Sequence, residues 1–324
     1  MRIFVAEYVT GGGFAGLPIP PGLCREGEMM LRALLADLAA IAGVELRVSR
    51  DARLDPTGIP GRIVAVGAQS PWDVWAAEIA AADAVWPIAP ESGGILARLS
   101  DMAAGKTLLA TPPDLVRLCA SKSGTAAHLS AHAIPAVPCW LPGREPQSSA
   151  AGWIVKPDDG AGAEGVRLFT DPAAALAAAR RVPGLILQPF LPGAPESLSL
   201  LCRGGSAVLL ACNRQIIAER GGEFRYRGFV VGGAEEKRDR YAPLAAAIAR
   251  ALPGLFGHVG VDLIATAAGP VVLEINPRLT TSYAGLTEAL GANPAAMVLA
   301  LAAGGAMPRI TPARPVSLSL VPDA

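Results

Sequence analysis

The sequence predicts an α/β protein: an N-terminal parallel α/β domain followed by two α+β subdomains. Three observations predict it. In the first third of the 324 residues, short apolar runs alternate with segments of helical periodicity, as in a parallel sheet with crossover helices. At 111-TPPDL-115 two prolines break that pattern. From Trp153 onward a strand, a glycine loop and a second strand follow one another, and 259–275 reads as a hairpin.

The elements follow in order. Ile3 to Ala6 is a first strand, running into Gly11-Gly12-Gly13. Residues 26-EGEMMLRALLADLAAIAG-43 carry apolar positions at helical spacing and stop at a glycine. Strands at 44–48, 63–67 and 84–89 follow, with a helix after Ser70-Pro71. Such sheets bind ligands at the carboxyl ends of their strands. That rule singles out Glu7, Gly12 and Gly13 after the first strand, and Glu91 after the 84–89 strand, as substrate-facing candidates. Beyond the break come a helix over 121–133, a Pro-rich irregular connector over 134–146, a helix over 171–182 begun by Asp171-Pro172, and a strand over 185–190.

Composition narrows the function. Hydrophobic residues make up 52% and charged residues 17%, enough for buried cores and too apolar for a disordered chain. Zero formal net charge and 5% aromatic residues argue against a nucleic-acid surface. Five cysteines without a C-x-x-C pair fit a reducing compartment, and the apolar runs are too short to span a membrane. The N-terminus lacks the pattern of a signal peptide, so a soluble cytoplasmic protein is expected. Arginine supplies nearly all the positive charge, so the four lysines, Lys106, Lys122, Lys156 and Lys237, stand out.

Residues 160-GAGAEG-165 match G-x-G-x-x-G. A dinucleotide fold needs a helix directly after this loop, because the pyrophosphate rests on the helix N-terminus. Here 166-VRLF-169 follows, which reads as a strand, and no G-K-[ST] is present. A glycine loop between two strands is the form of a flap over nucleotide phosphates, with Lys156 on the incoming strand as a phosphate ligand. By itself the loop reads equally well as a flexible hairpin turn. At 188-QPFLPGAPESLSLL-201 an apolar strand enters a short linker and then meets an acid, the layout of a linker that reads adenine through its backbone and the ribose through a carboxylate.

The hairpin 259-VGVDLIATAAGPVVLEINPR-278 carries the most information. With its turn centred on Ala268, Asp262 faces Glu274. Val261, Leu263, Val271, Leu273 and Ile275 then face the core, while Asp262, Glu274 and Asn276 share the other face. Facing Cβ atoms lie about 5 Å apart. Two carboxylates converging without an opposite charge are costly alone and favourable around a divalent cation, and this oxygen set suits Mg²⁺.

Together these residues resemble the ATP-grasp superfamily of ligases over essentially the whole chain. The resemblance rests on Lys122 in 121-SKSGT-125, on Lys156 with its glycine loop, on the Gln188-to-Glu196 linker and on the D…E-x-N-P-R hairpin. Within the superfamily it extends to the tyramine–L-glutamate ligase branch of methanofuran biosynthesis, through 7-EYVTGGG-13, 26-EGEMMLRALLADL-38, 88-IAPESGGIL-96, 213-NRQII-217 and 274-EINPRLTTSYAGL-286. The resemblance implies an ATP-grasp fold divided as 1–112, 113–186 with the flap, and 187–324 with the hairpin, the last two clamping ATP. It implies that Lys122 and Lys156 contact phosphates beneath a flap carrying Gly160, Gly162 and Gly165. Gln188, Phe190, Leu191 and Glu196 would hold adenine and ribose. Asp262, Glu274 and Asn276 would hold one or two Mg²⁺ ions, or Mn²⁺ in their place. Arg278 and Lys156 would be catalytic, with Thr281 and Ser282 near the substrate.

The implied reaction activates a carboxylate as an acyl phosphate, which an amine converts to an amide. The partners would be small-molecule substrates, with no nucleic acid or membrane, and a homodimer is the assembly considered. A ligase for another amino acid pair, or a nucleotide-binding sensor without turnover, stays open. Two departures stand out. The linker reads P-G-A-P-E, one residue longer than G-x-E, and Gly260 stands where some relatives carry a phosphate-binding arginine, a role for which Arg214 is the substitute considered.

Other candidates read as structural. His128 and His132 share a helix face but lack a third ligand, and His258 reads as a loop residue. Cys202 and Cys212 read as core, 235-EEKRDR-240 as a solvated surface, and 223–233 as a loop.

Overall fold

The computed structural model describes residues 1–143, 149, 151–160 and 165–320. Gly162 of the predicted flap lies outside the described residues.

The N-terminal sheet contains β1 (Arg2–Glu7), β2 (Glu45–Asp51), β3 (Arg62–Val66), β4 (Ala84–Ile88) and β5 (Thr107–Leu108), in the order β3-β2-β1-β4-β5 and parallel throughout. Its helices are α1 (Pro21–Ala39), α2 (Pro71–Ala81) and α3 (Ile95–Met102). β1 and β4 are buried along nearly their whole length, as expected of central strands covered on both faces. α1 begins five residues before the expected start, because Pro21 suits the first helical position, where the missing N–H leaves no partner unsatisfied.

α4 (Pro113–Ala120) and α5 (Lys122–Ala131) lead into the second sheet. Ser121 caps α5 by accepting from Gly124 N at 3.0 Å. Among the described residues this sheet runs β13-β12-β9-β10-β11-β7-β6-β8, all antiparallel, from β6 (Trp153–Pro157), β7 (Arg167–Phe169), β8 (Leu185–Pro189), β9 (Ala194–Arg203), β10 (Ser206–Arg220), β11 (Glu223–Val231), β12 (Gly257–Thr266) and β13 (Gly269–Asn276). β14 (Val316–Ser319) pairs with β11. α6 (Pro172–Arg181), capped by Asp171, packs on β6 and β8, and α7 (Arg238–Ala251) covers β10 and β9. α8 (Leu286–Leu290) and α9 (Pro294–Ala302) follow the hairpin, and α9 packs on α1.

Several expectations need correction. Residues 223–231 are a strand, not a loop, with Phe224 and Tyr226 on one face. His258 lies within β12 and is buried, with Nδ1 3.2 Å from the Arg278 carbonyl oxygen. The 235–240 run is not simply solvated: Lys237 pairs with buried Glu196, and Arg238 donates to the Leu209 and Leu210 carbonyls. Cys202 and Cys212 are fully buried, as expected. The His128 and His132 side chains approach backbone oxygens of Ala251 and His128 at 2.8 and 2.9 Å. Among the described residues no single helix is long and apolar enough to cross a membrane.

Candidate active site

A cavity of about 390 Å³ lies between the β6–β8 flap region, the inner face of β9–β13 and the N-terminal end of α1. That volume is in the range of small-ligand sites. The hairpin supplies its polar floor. Asp262 pairs with Glu274 as the alternation predicts, but through different geometry. The chain turns tightly between Thr266 and Gly269, and a bulge at Leu273 shifts the register by one before Asp262 meets Glu274. Val272 therefore takes the core position expected of Val271 and Leu273, while Leu273 faces the cavity beside Glu274.

Asn276 Nδ2 donates to Asp262 Oδ2 at 3.0 Å, and Gln215 Nε2 donates to Asp262 Oδ1 at 2.8 Å. Lys122 Nζ lies 3.2 Å from Glu274 Oε2 and also donates to the Gly160 carbonyl. Lys156 is buried on β6 and lines the same space. Burial, with Glu274 opposite, pushes Asp262 up to about 8. Glu274 feels the same burial, but Lys122 and Lys156 hold it below the usual carboxylate range, so it carries the charge of the pair. Burial likewise lowers Lys156 to about 8, against the opposing pull of Glu274. Two hard carboxylates and an amide oxygen, buried where the pair must otherwise keep a proton, fit a Mg²⁺ ion.

Arg278, at the end of the hairpin, donates through Nε to Glu91 Oε1 at 2.9 Å and through Nη1 to the Leu279 carbonyl at 3.2 Å. Glu91, just beyond the carboxyl end of β4, thus touches the site through Arg278 and does not itself line the cavity. Gly93 N of the same loop donates to Asp159 at the flap base, 3.2 Å away. Asp158 fixes the other side: it accepts from Ser121 Oγ, Ser123 Oγ and Ser123 N at 2.7, 3.0 and 2.7 Å, tying α5 and its Lys122 to the end of β6. Thr281 and Ser282 line the cavity.

The apolar end is built by Phe190, Leu191, Ile154, Ile217 and Ile264, with Phe190 and Phe224 stacked 6.3 Å apart. Gln188 lines it and donates to Cys139 Sγ. Phe190 N donates to the Gly152 carbonyl at 2.9 Å, so that amide is engaged within the fold. Gly193 is required here, because a Cβ would stand 2.7 Å from the Ala265 carbonyl oxygen. Gly160 and Gly165 lie at the flap base, where a Cβ on either would press on Pro157.

Expectations for Glu196, for Arg214 and for the Glu7–Gly13 loop fail on geometry. Glu196 is buried behind the sheet, bonded to Lys237 and Tyr241 on the α7 side, while Pro195 and Ser197 face the cavity. The extra linker residue inverts its parity, since successive strand residues point to opposite faces. Arg214 is exposed beside Glu236 for the same reason of alternation, leaving Gln215 inward. Gly260 has no room for an arginine: a Cβ would stand 2.6 Å from Thr280 Cγ2. Glu7, Gly12 and Gly13 are not brought to the cavity. Glu7 turns inward to accept from Val9 N, Thr10 N and Thr10 Oγ1 at 3.2, 2.6 and 2.6 Å, and Gly12 takes the positive φ of +103° that this turn needs. Sequence reading missed Gln215, Tyr226, Glu26 and Met30, all of which line the cavity. Strand alternation beside Arg214 was the available signal for Gln215.

A lysine pair beside Gly160, a facing carboxylate hairpin and an arginine at its end define a class. The chain belongs to the ATP-grasp family: an ATP-grasp domain matches residues 119–282, just over half of its length, and a pre ATP-grasp 3 domain matches 44–116. The chain is similar to the tyramine–L-glutamate ligase of Methanocaldococcus jannaschii, 36% identical over 101 residues, which is 31% of either protein. The enzyme of the same name from Methanocaldococcus fervens is also 36% identical over 101 residues, 31% of this chain and 33% of that protein. The matched segment thus spans about a third of these relatives. Among solved structures, an ATP-grasp superfamily protein from Archaeoglobus fulgidus superposes with a TM-score of 0.73 at 23% identity, covering 96% of this chain and 90% of its own. The L-amino acid ligase from Bacillus licheniformis gives 0.66 at 16% identity, covering 93% and 73%. These likenesses establish the ATP-grasp fold.

Proposed function

We propose that the chain is an ATP-dependent carboxylate–amine ligase that joins L-glutamate, through its γ-carboxylate, to tyramine or a related aryl amine. This is the chemistry of a methanofuran-type cofactor pathway. The observation that carries the reading is the convergence of Lys122, Lys156, Asp262, Glu274, Asn276 and Arg278 on one cavity that has an apolar slot at its other end. The names of the partial relatives supply the substrates.

Adenine lies in the slot of Phe190, Leu191, Ile217 and Ile264, which places the phosphates between Lys122 and Lys156. Asp262, Glu274 and Asn276 would hold Mg²⁺, which when bound would neutralise phosphate charge. The γ-phosphoryl group passes to the substrate carboxylate, leaving ADP and an acyl phosphate beside Arg278, whose fork of donors matches phosphate oxygens. The amine nitrogen then bonds to the acyl carbon as the carbon–oxygen bond to phosphate breaks. The ammonium sheds two protons overall: one ends on inorganic phosphate and one in solvent. Positioning and charge neutralisation suffice for such phosphoryl transfer, so no covalent nucleophile is needed.

The test is phosphate release from Mg·ATP across an array of amino acids and amines, with products read by mass spectrometry. Release that needs both glutamate and an aryl amine, with the amide formed, supports the proposal. Release with another pair keeps the mechanism and discards the substrates. Binding of ATP without release in any pair rejects the enzyme reading.

A further inference from the structure

The end of the cavity beyond Arg278 holds a carboxylate that the chemistry above does not use. Glu26 lies in the first turns of α1 and faces the cavity with Met30, one helical turn later. The rotation of α1 is fixed by Gly27, whose Cβ position would lie 2.8 Å from Glu7 Oε2, so only glycine lets the helix sit this close to the first strand. Tyr226 from β11, with Thr281 and Ser282, lines the same cavity.

Glu26 accepts no hydrogen bond and forms no ion pair among the described residues. The two cations whose charge it feels have hydrogen-bond partners of their own. Arg278 is held by Glu91 and the Leu279 carbonyl, and Arg25 donates to the Leu320 carbonyl at 3.3 Å. Burial raises the carboxyl above its ordinary range, opposed by Arg278 and then Arg25. A partly desolvated carboxylate with no hydrogen bond or ion pair of its own is costly unless a ligand provides one. The apolar flank of Met30 and the Tyr226 ring suit a cation carried on an apolar or aryl body.

We infer that Glu26 receives the ammonium group of the nucleophilic amine, holding it on the far side of the acyl phosphate from the nucleotide. The inference rests on the ligase reading and adds the residue that selects a cationic amine as second substrate. Glu26 acts here by binding. Phosphoryl transfer to the carboxylate precedes the amine's reaction and does not need it.

The experiment compares wild type with Glu26→Gln, using Mg·ATP, glutamate and either tyramine or hydroxylamine. Hydroxylamine is small and uncharged near neutrality, so it traps the acyl phosphate as a hydroxamate without needing a carboxylate. In the variant, the KM for tyramine should rise at least about tenfold, the scale of one lost charge-assisted hydrogen bond. The KM values for ATP and glutamate should stay within about twofold, and hydroxamate formation should persist. Glu26→Asp should recover part of the tyramine affinity, and retained ATP affinity in both variants reports an intact fold. An unchanged KM for tyramine, a rise in the KM for glutamate instead, or loss of hydroxamate formation overturns the assignment. A wild type that makes neither product overturns the ligase reading and this inference with it. A working wild type with an indifferent variant overturns this inference alone.

Discussion

Arg278 and Glu91 meet at 2.9 Å although 187 residues separate them, and both side chains are nearly buried. The pair joins the end of the hairpin to the loop after β4, so the arginine proposed to steady the transferred phosphoryl group is aimed by the N-terminal sheet.

Removing that aim has a defined consequence. Glu91→Ala leaves a buried guanidinium without its counter-charge, which costs about 3 kcal/mol of stability. We expect kcat to fall at least about tenfold through the displaced fork, with the KM for ATP little changed. Urea unfolding and steady-state kinetics on the same variant check both parts. A stable variant with wild-type kcat would show that Glu91 is a bystander.

Lys156 gives a pH dependence. Burial holds its ammonium at about 8, below its ordinary range, so it is charged at neutrality and loses its proton as pH rises through 8. ATP affinity should therefore weaken between pH 8 and 10. Lys156→Ala should weaken it by about ten- to a hundredfold at pH 7 and flatten that dependence. Calorimetric titration of a non-hydrolysable ATP analogue across this range reads both, and equal affinities for the two proteins would remove Lys156 from the phosphate site.

Asp262 and Glu274 predict proton release. Asp262 is raised to about 8, so the folded protein holds this proton more tightly than the unfolded chain does. Its contribution to metal-free stability is greatest below pH 4 and is lost as pH rises through 8. A cation takes the ionised form, so binding of Mg²⁺ at pH 7 should release close to about one proton, and almost none at pH 9. Titrations in buffers of different ionisation enthalpy measure this directly. No release at pH 7, or undiminished release from Asp262→Asn, would contradict the assignment of these carboxylates to the metal.

The corrected place of Glu196 is testable by the effect it should not have. Glu196→Gln weakens the contacts to Lys237 and Tyr241 on the α7 side and should cost about 2 kcal/mol of stability. ATP affinity should stay within about twofold, because the residue does not face the cavity. A large loss of affinity would restore the ribose role.

The alternation of Val261, Asp262 and Leu263 against Glu274, Ile275 and Asn276 makes the central carboxylate pair legible in the sequence, because strand periodicity is local. The same periodicity misleads wherever one residue is gained. The bulge at Leu273 leaves no local signal, and it exchanges Val272 for Val271 and Leu273 in the core. The longer linker turns Glu196 to the wrong face. Strand β11 carries the alternation of a half-buried strand, with Glu223, Arg225 and Arg227 exposed on the opposite face from Phe224 and Tyr226, so the loop reading passes over a local signal that is present. Glu26 cannot be assigned from sequence at all: helical spacing shows that α1 has an apolar face, but not which flanking residue meets a cavity formed by strands about 200 residues later.

The central claim is that this site activates a carboxylate by phosphorylation. Glutamate labelled with ¹⁸O in its γ-carboxylate, turned over with Mg·ATP and tyramine, tests it most directly. The account predicts that inorganic phosphate acquires one labelled oxygen per amide formed, because the bridging oxygen of the acyl phosphate leaves with the phosphate. Amide formation with unlabelled phosphate would contradict the account.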